Sequence, residues 1–374
     1  MMNVALRTLF HERGKFVAAL LGVCFAATLV LAQSGLYFGF KGMSTTVISH
    51  LRGDVWVMAK GTQLFDSADR VSAGAAEAVA AHPCVRGVRS LIMSWATLRK
   101  PSGAVDNVQL IGFARDDLDV VPWSLADGLP ADLHAPMRVA VDRWDLPRLE
   151  LGDPAIGAPV EVNDVRAYVG AVTTGIRAFT VVPFVFAEAT SARALNGMAE
   201  GQSTYLLADM NDAVCERDFV AWIGGSGDLQ AVPQKEFERM TADYWMTRSG
   251  AGGALGFSAL LGLLVGVIVV GQTLYSLVGG HLRELATWRT MGATSRELLS
   301  FVLWQAGFLA VAGTMLAIGL AVALREAATL GGLSLVVSTY TLLLGFGSTF
   351  TTCGLSALIS GLRVLRLEPA EVFK

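Results

Sequence analysis

The residues able to do covalent chemistry are few, and their spacing defeats it. His11-Glu12 opens a string like the zinc motif HExxH, but residue 15 is Lys, so the second imidazole one helical turn on is missing. The five histidines, at 11, 50, 82, 134 and 281, show no metal-ligand spacing. Ser226 lies in Gly224-Gly-Ser-Gly-Asp228, where Asp228 stands in place of the glycine that closes a nucleophile elbow. Gly14-Lys15 is followed by Phe16, and position 9 is Leu rather than Gly, so this is no phosphate-cradling loop. No ATP, metal or cofactor motif is recognisable, and a catalytic role is not expected. What stands out instead is a charged stretch, His281–Glu297 (HLRELATWRTMGATSRE), set between two of the most apolar segments of the chain.

The elements that must position this stretch are membrane-length runs. Of 374 residues, 53% are hydrophobic and 16% charged, against about 25% charged in an ordinary soluble domain. The net charge of −3 gives no basic signature for nucleic acid. Four uncharged runs account for the composition: 25 residues from Phe16 to Phe40, 32 from Ser249 to Gly280, 27 from Leu298 to Leu324, and 36 from Ala327 to Leu362. A helix needs about 20 apolar residues to cross a hydrocarbon core of about 30 Å, so each run suffices for one crossing. The first also resembles a signal peptide, with Val30-Leu31-Ala32 as a small-residue site. It continues to Phe40 without a charge, which favours an uncleaved membrane helix.

Short basic loops set the orientation. Arg7, Arg13 and Lys15 precede the first run; Arg283, Arg289 and Arg296 lie in the charged stretch; Arg363, Arg366 and Lys374 follow the last run. The remaining short loop has one arginine, Arg325. The expected fold is a polytopic α-helical membrane protein, with both termini inside and a large α+β domain outside. Its parts are a cytoplasmic segment 1–15, spans at 16–40, 249–280, 298–324 and 338–360, an external (periplasmic) domain 41–248, a cytoplasmic loop 281–297, a short external loop 325–337 and a cytoplasmic tail 361–374.

Within 41–248, period-2 stretches predict strands at Asp54–Met58, Val108–Ile111, Met137–Val141, Pro159–Val162 and Ala167–Val172, the last two joined as a hairpin by Asn163-Asp164. Helical composition is confined to Ala73–Ala81, Ala187–Met198 and the two ends, Gly42–Leu51 and Gln234–Arg248. A 32-residue uncharged run makes about 48 Å of helix, longer than the hydrocarbon core, so the first two spans are expected to continue outward as a stalk. Cys84 and Cys215 lie in an oxidising compartment and could pair, though spacing does not establish it. Cys24 and Cys353 fall within spans.

The charged stretch reads as a helix, a tight turn and a restart. Leu282, Leu285, Ala286 and Arg289 share one helical face, Trp288 and Met291 extend the apolar surface, and Arg283 and Glu284 project away. Gly292, followed by Ala293, suits a C-terminal cap, and Thr294-x-x-Glu297 has the spacing of a capping box leading into the third span. Two uses fit: a topology-fixing loop that binds lipid headgroups, or a docking helix for a partner protein. The glycines Gly35, Gly39, Gly252, Gly256, Gly262 and Gly266, some at GxxxG spacing, allow close helix approach, either within one chain or between two copies.

Arg283-Glu284-Leu285-Ala-Thr-Trp288-Arg289-Thr-Met291-Gly292-Ala293 is similar to the RE(I/L/F)…(L/R)(R/K)(A/T)(L/M)GA signature of FtsX-like permeases, the MacB/LolC/LolE group of ABC transporters. The tail Arg363-Val-Leu-Arg366-Leu-Glu-Pro369-Ala-Glu371 resembles that family's LR-x-x-(D/E)PAEAL ending. Among these, Asp54–Thr62, Val108–Gly112, Arg177–Thr180 with Pro183–Phe186, and Tyr244-Trp245 look most like the DevC type, permease of a heterocyst-glycolipid exporter. Trp288-Arg289 with Met291 departs from the commoner leucines. The resemblance implies a permease that works by mechanotransmission. Two ATP-binding subunits, holding ATP and Mg, would seat the 281–297 helix as a coupling helix. A second permease copy, a periplasmic adaptor and an outer-membrane channel would complete the assembly within membrane lipid. An FtsX-like regulator that activates an external partner without moving a substrate is the alternative. An integral membrane enzyme is disfavoured by the missing catalytic set.

Overall fold

The computed structural model describes residues 2–11, 13–117, 122–178, 182–280, 282–330 and 335–365. The chain divides into two units, one made of residues 1–40 and 250–374 and the other of residues 41–249.

Two helices open the chain, α1 (Met2–His11) and α2 (Arg13–Ser44). The external unit then runs α3 (Thr46–His50), β1 (Val55–Ala59), α4 (Ala73–Ala80), β2 (Val85–Arg99), β3 (Val105–Phe113), β4 (Leu125–Asp127), β5 (Arg138–Asp142), β6 (Pro159–Val162), β7 (Val165–Thr173), β8 (Phe184–Glu188), α5 (Ala189–Leu195), β9 (Tyr205–Met210), α6 (Ala213–Gly224), β10 (Leu229–Pro233) and α7 (Gln234–Asp243). A π-helical turn, Tyr244–Arg248, follows. The chain ends in α8 (Ala251–Gly280), α9 (Leu282–Thr290), α10 (Ser295–Leu330) and α11 (Thr339–Leu365).

The external unit is built on one mixed sheet in the order β10-β1-β9-β2-β3-β8-β5-β7-β4, with β6 pairing both β2 and β7. Its first four strands belong to a β1-α4-β2 and a β9-α6-β10 segment, all antiparallel, in the order of a ferredoxin-like split βαβ unit. The strands between β2 and β9 are an insertion. There β2, β3, β8, β5, β7 and β6 pair in turn, and β6 returns to β2 through Leu98 and Val162, closing a six-stranded ring. Closure gives each strand of the ring a neighbour on both sides, while β10 and β4 remain the ends of the sheet.

Three cores follow from strand alternation. On β1, Val55 and Val57 face helices α4 and α6 through Val79, Phe219 and Ile223, while Trp56 and Met58 face Tyr205, Phe237 and Ile48 on the other side. Being covered on both faces, β1 is apolar at every position rather than alternately. The ring is filled by inward residues of all six strands, among them Ile92, Val108, Val139, Val162, Val169 and Val185. The β6–β7 hairpin turns on Asn163 (φ 49°) and Asp164 (φ 62°), both left-handed as a two-residue primed turn requires. Cys84 and Cys215 form a disulfide, Cα–Cα 5.1 Å, that joins the start of β2 to the first turn of α6 and so ties the two βαβ halves together.

In the other unit, four helices are long and apolar enough to cross a membrane: Arg13–Ser44, Ala251–Thr273, Ser295–Ala328 and Thr339–Gly361. Two expectations change here. The chain does not run from the external unit into the second span as one helix: Gly250 sits at φ 80°, a conformation without a Cβ penalty only for glycine, and breaks it. The third span's helix also extends past Leu324 through Arg325 and Glu326 to Leu330, so the loop expected at 325–337 is shorter.

The glycines are used unequally. A Cβ on Gly266 would lie 3.1 Å from Ala26 Cβ, and one on Gly35 would lie 3.0 Å from the Val336 carbonyl oxygen. Val336 N–H donates to the Gly35 carbonyl, so the segment before α11 docks on α2 through backbone. Gly262 makes ordinary contact with Leu29. Gly39 is buried in α2 and Gly252 half-buried in α8. Gly256 meets nothing within 4 Å, so its expected role in packing within one chain is not what the structure shows.

Candidate functional site

The helix expected at the start of the charged stretch is α9, and it is joined to α10 by four residues of fixed geometry. After the last helical residue, Gly292 N–H donates to the Arg289 carbonyl at 3.1 Å and Ala293 N–H to the Trp288 carbonyl at 3.0 Å. These are the two bonds of a Schellman cap, and Gly292 takes the left-handed position at φ 99°. Directly after it, Thr294 N–H donates to the Glu297 carboxylate at 2.8 Å, and Glu297 N–H donates back to Thr294 Oγ1 at 3.4 Å. This reciprocal capping box starts α10. Backbone donors and acceptors that a loop would leave to water are satisfied internally, so α9 and α10 are coupled with little slack.

Packing fixes the helix against its own unit. Ala286 and Leu298 are buried. Trp288 is half-buried, with its ring edge-to-face on Phe301 at 5.2 Å, and Trp288 and Ala293 pack on the cluster that holds Leu9, Leu298, Phe301 and Val302. Trp288 thus packs at the α9–α10 junction while part of it stays accessible. Among the residues of this stretch whose side chains are described, Met291 is 72% exposed, beside exposed Gly292 and Thr290. Leu282, Arg283, Glu284 and Leu285 form the first turns of α9, and Arg289 its last. His281 and the tail motif from Arg366 to Lys374 lie outside the described residues.

One partner of this site was not foreseen. Helix α1 packs on α10 and sets Leu9 into the same cluster as Trp288, while Phe10 and Phe16 stack around Phe308. Its sequence, MNVALRTLFH, carries apolar residues at helical spacing, a signal that was legible but short. Among the described residues, no cluster of His, Cys, Asp or Glu is arranged to hold a metal ion.

Comparison with known proteins matches both units. The MacB-like periplasmic core domain matches residues 16–214, and the FtsX-like permease C-terminal domain matches residues 256–369. Among solved structures, the chain is similar to the periplasmic region of MacB from Actinobacillus actinomycetemcomitans, at 11% identity and a TM-score of 0.38 over 51% of this chain and 94% of that one. It is also similar to the extracellular domain of the noncanonic ABC-type transporter YknZ from Gram-positive bacteria, at 12% identity and a TM-score of 0.35 over 48% of this chain and 98% of that one. Among curated proteins none matches.

Proposed function

Because the chain belongs to the family of FtsX-like ABC permeases with a MacB-like periplasmic core domain, we propose that α9 is the element through which a partner ATPase moves it. The family is one of inner-membrane permease subunits, generally non-catalytic, and membership implies an ABC ATPase partner. With residues 41–249 periplasmic and four crossings, α9 faces the cytoplasm, as do both termini. The observation that carries the proposal is the Schellman cap and capping box that join α9 to α10. A load placed on α9 reaches the third span through a junction with almost no free backbone.

In this reading the closing of two nucleotide-loaded ATPase subunits, with their ATP and Mg, displaces α9, and the helices transmit that displacement to the periplasmic domain, a rigid-body transition between distant sites. Two copies of the permease form the working unit. The face of α8 that carries Phe257, Leu260, Leu264 and Ile268, all more than half exposed, supports this, as does the unfilled space beside Gly256. Export of a lipid, glycolipid or peptide through a periplasmic adaptor and outer-membrane channel, of the DevC kind, rests on the residue resemblance. Co-purification tests the partner: the full-length chain should capture its ATP-binding subunit, and Met291→Asp should weaken that capture about tenfold while leaving the permease folded. Capture unchanged by Met291→Asp and by deletion of 283–291 would refute the role of α9.

A further inference from the structure

The cytoplasmic corner where α1 meets α2 carries a row of exposed side chains. Phe10, Val17, Leu21 and Phe25 are each about half exposed or more, and Arg7, Arg13 and Gly14 are exposed at the lower end of the row. Arg13, Val17, Leu21 and Phe25 follow one another four residues apart, so they stack along one side of α2. Other sides of the helix are taken. Ala19, Val23 and Ala26 are buried in the bundle, and a Cβ on Gly22 would lie 3.2 Å from Val269 and Thr273. At 1.5 Å per residue, Val17 to Phe25 rises about 12 Å, close to the roughly 15 Å apolar depth of one leaflet. Phe16 is the first residue of the uncharged run, so Arg13 stands where hydrocarbon gives way to headgroups on the cytoplasmic side.

The charge at the foot of this row is unanswered within the chain. Among the described residues, neither Arg7 nor Arg13 has an ion pair or a hydrogen bond from its guanidinium. Arg89, Arg99 and Arg148 of the external unit, by contrast, each meet a carboxylate. Glu297, at the start of the helix on which α1 packs, is engaged by Thr294. Glu12 lies outside the described residues. There is room beside Arg13, since a Cβ on Gly14 would meet nothing within 4 Å. Nor do the cations ride on a free tail. Leu9 is buried among Leu298, Phe301 and Val302, and the Phe10 ring lies 4.9 Å from Phe16 and 5.7 Å from Phe308. A fixed pair of guanidiniums below a leaflet-length apolar row needs little ordering before it binds.

We propose that this row seats an anionic phospholipid of the cytoplasmic leaflet, with its phosphate at Arg7 and Arg13 and an acyl chain along Val17, Leu21 and Phe25. The guanidinium fork matches phosphate oxygens. Two guanidiniums would repel the cationic end of a zwitterionic headgroup, whereas a headgroup of net negative charge balances them. A free phosphate would answer the cations but leave the apolar row uncovered; a lipid answers both.

The test is titration of the full-length protein in detergent micelles against fluorescent phosphatidylglycerol and, separately, fluorescent phosphatidylcholine, followed by anisotropy. Phosphatidylglycerol should bind saturably and at least about tenfold more tightly, and high salt should erase most of that difference. Arg7→Gln with Arg13→Gln should weaken phosphatidylglycerol binding at least about tenfold and leave phosphatidylcholine binding unchanged. Arg325→Gln, near the other end of α10, should change neither. Inorganic phosphate in excess of lipid should not displace it. The double variant keeps Lys15, which still orients the first span; should it fail to fold, the comparison of the two lipids on the unsubstituted protein at low and high salt decides. The proposal is overturned if the two lipids bind alike, if salt has no effect, or if the double variant binds phosphatidylglycerol as the unsubstituted protein does. It is equally overturned if Arg325→Gln weakens binding as much, if inorganic phosphate displaces the lipid, or if binding is lost as the protein dimerises, which would give the row to a second copy.

Discussion

At the scale of single residues, Trp288 and Met291 sit in different surroundings at the end of α9. Trp288 is committed to Phe301, whereas Met291 is exposed. Their substitutions should therefore differ in kind. Met291→Ala should lower affinity for the ATPase subunit about tenfold, or about 1.4 kcal/mol, with an unchanged melting temperature. Trp288→Ala should lower both, because it strips a large ring from a packed junction. Titration of the ATPase subunit against each variant, with thermal melts of the permease alone, distinguishes them.

Asp66 supports a second prediction at this scale. Burial raises its pKa from 3.8 to about 6, against the opposing contributions of Gln109 and Trp245. A carboxyl raised in the folded state binds its proton more tightly there, so its contribution to stability is fully present below pH 3.8 and lost as pH rises through about 6. The external unit should melt at lower temperature at pH 8 than at pH 5 by this contribution, on the order of 1–2 kcal/mol. Asp66→Asn should flatten that difference. Asp145, raised to about 6 by burial and then by Asp142, contributes in the same direction. Melting curves across pH 4–8, with and without Asp66→Asn, check the sign.

At the scale of elements, the junction between α9 and α10 was legible because its rules are local. A glycine after a helix and Thr-x-x-Glu before the next need only neighbours in sequence, and both formed as read. The Asn163-Asp164 hairpin was legible for the same reason. The face that Trp288 turns inward was not, because the ring that receives it, Phe301, stands on the next helix. Nor was β2 foreseen: its fifteen residues include Arg86, Arg89 and Arg99, which blur any alternation. Two of these charges are answered only by distant parts of the chain. Arg89 pairs with Asp117 and Asp209, and Arg99 with Asp164 and Glu161. The junction itself can be loosened without touching its packing. Gly292→Ala places a Cβ at φ 99° and should cost about 1–2 kcal/mol. Thr294→Ala removes a cap worth about 1 kcal/mol. Both should reduce the stimulation of ATP hydrolysis by the permease more than they reduce ATPase binding, measured on the same complexes.

At the scale of the whole molecule, apolar run length and basic loops set the membrane topology, and these survive in the structure with shifts at their ends. The closed ring of the external unit depends on β6 reaching back to β2, a pairing between residues 98 and 162 that no local pattern announces. The disulfide spans 131 positions and links the two βαβ halves. A cross-link of that separation stabilises by roughly 2–5 kcal/mol. Cys84→Ala with Cys215→Ala should therefore lower the melting of the external unit while leaving ATPase binding at α9 intact, as read by thermal melting and co-purification side by side.

In the proposed mechanism, ATP-driven force enters this permease through α9. Its most direct test is the ATPase rate of the complex reconstituted in liposomes, comparing the full chain with one in which residues 283–291 are replaced by a flexible Gly-Ser segment of equal length. The replacement should abolish permease-dependent stimulation and release the ATPase subunit on gel filtration. A replaced chain that still binds the subunit and still stimulates hydrolysis at the full rate would contradict it.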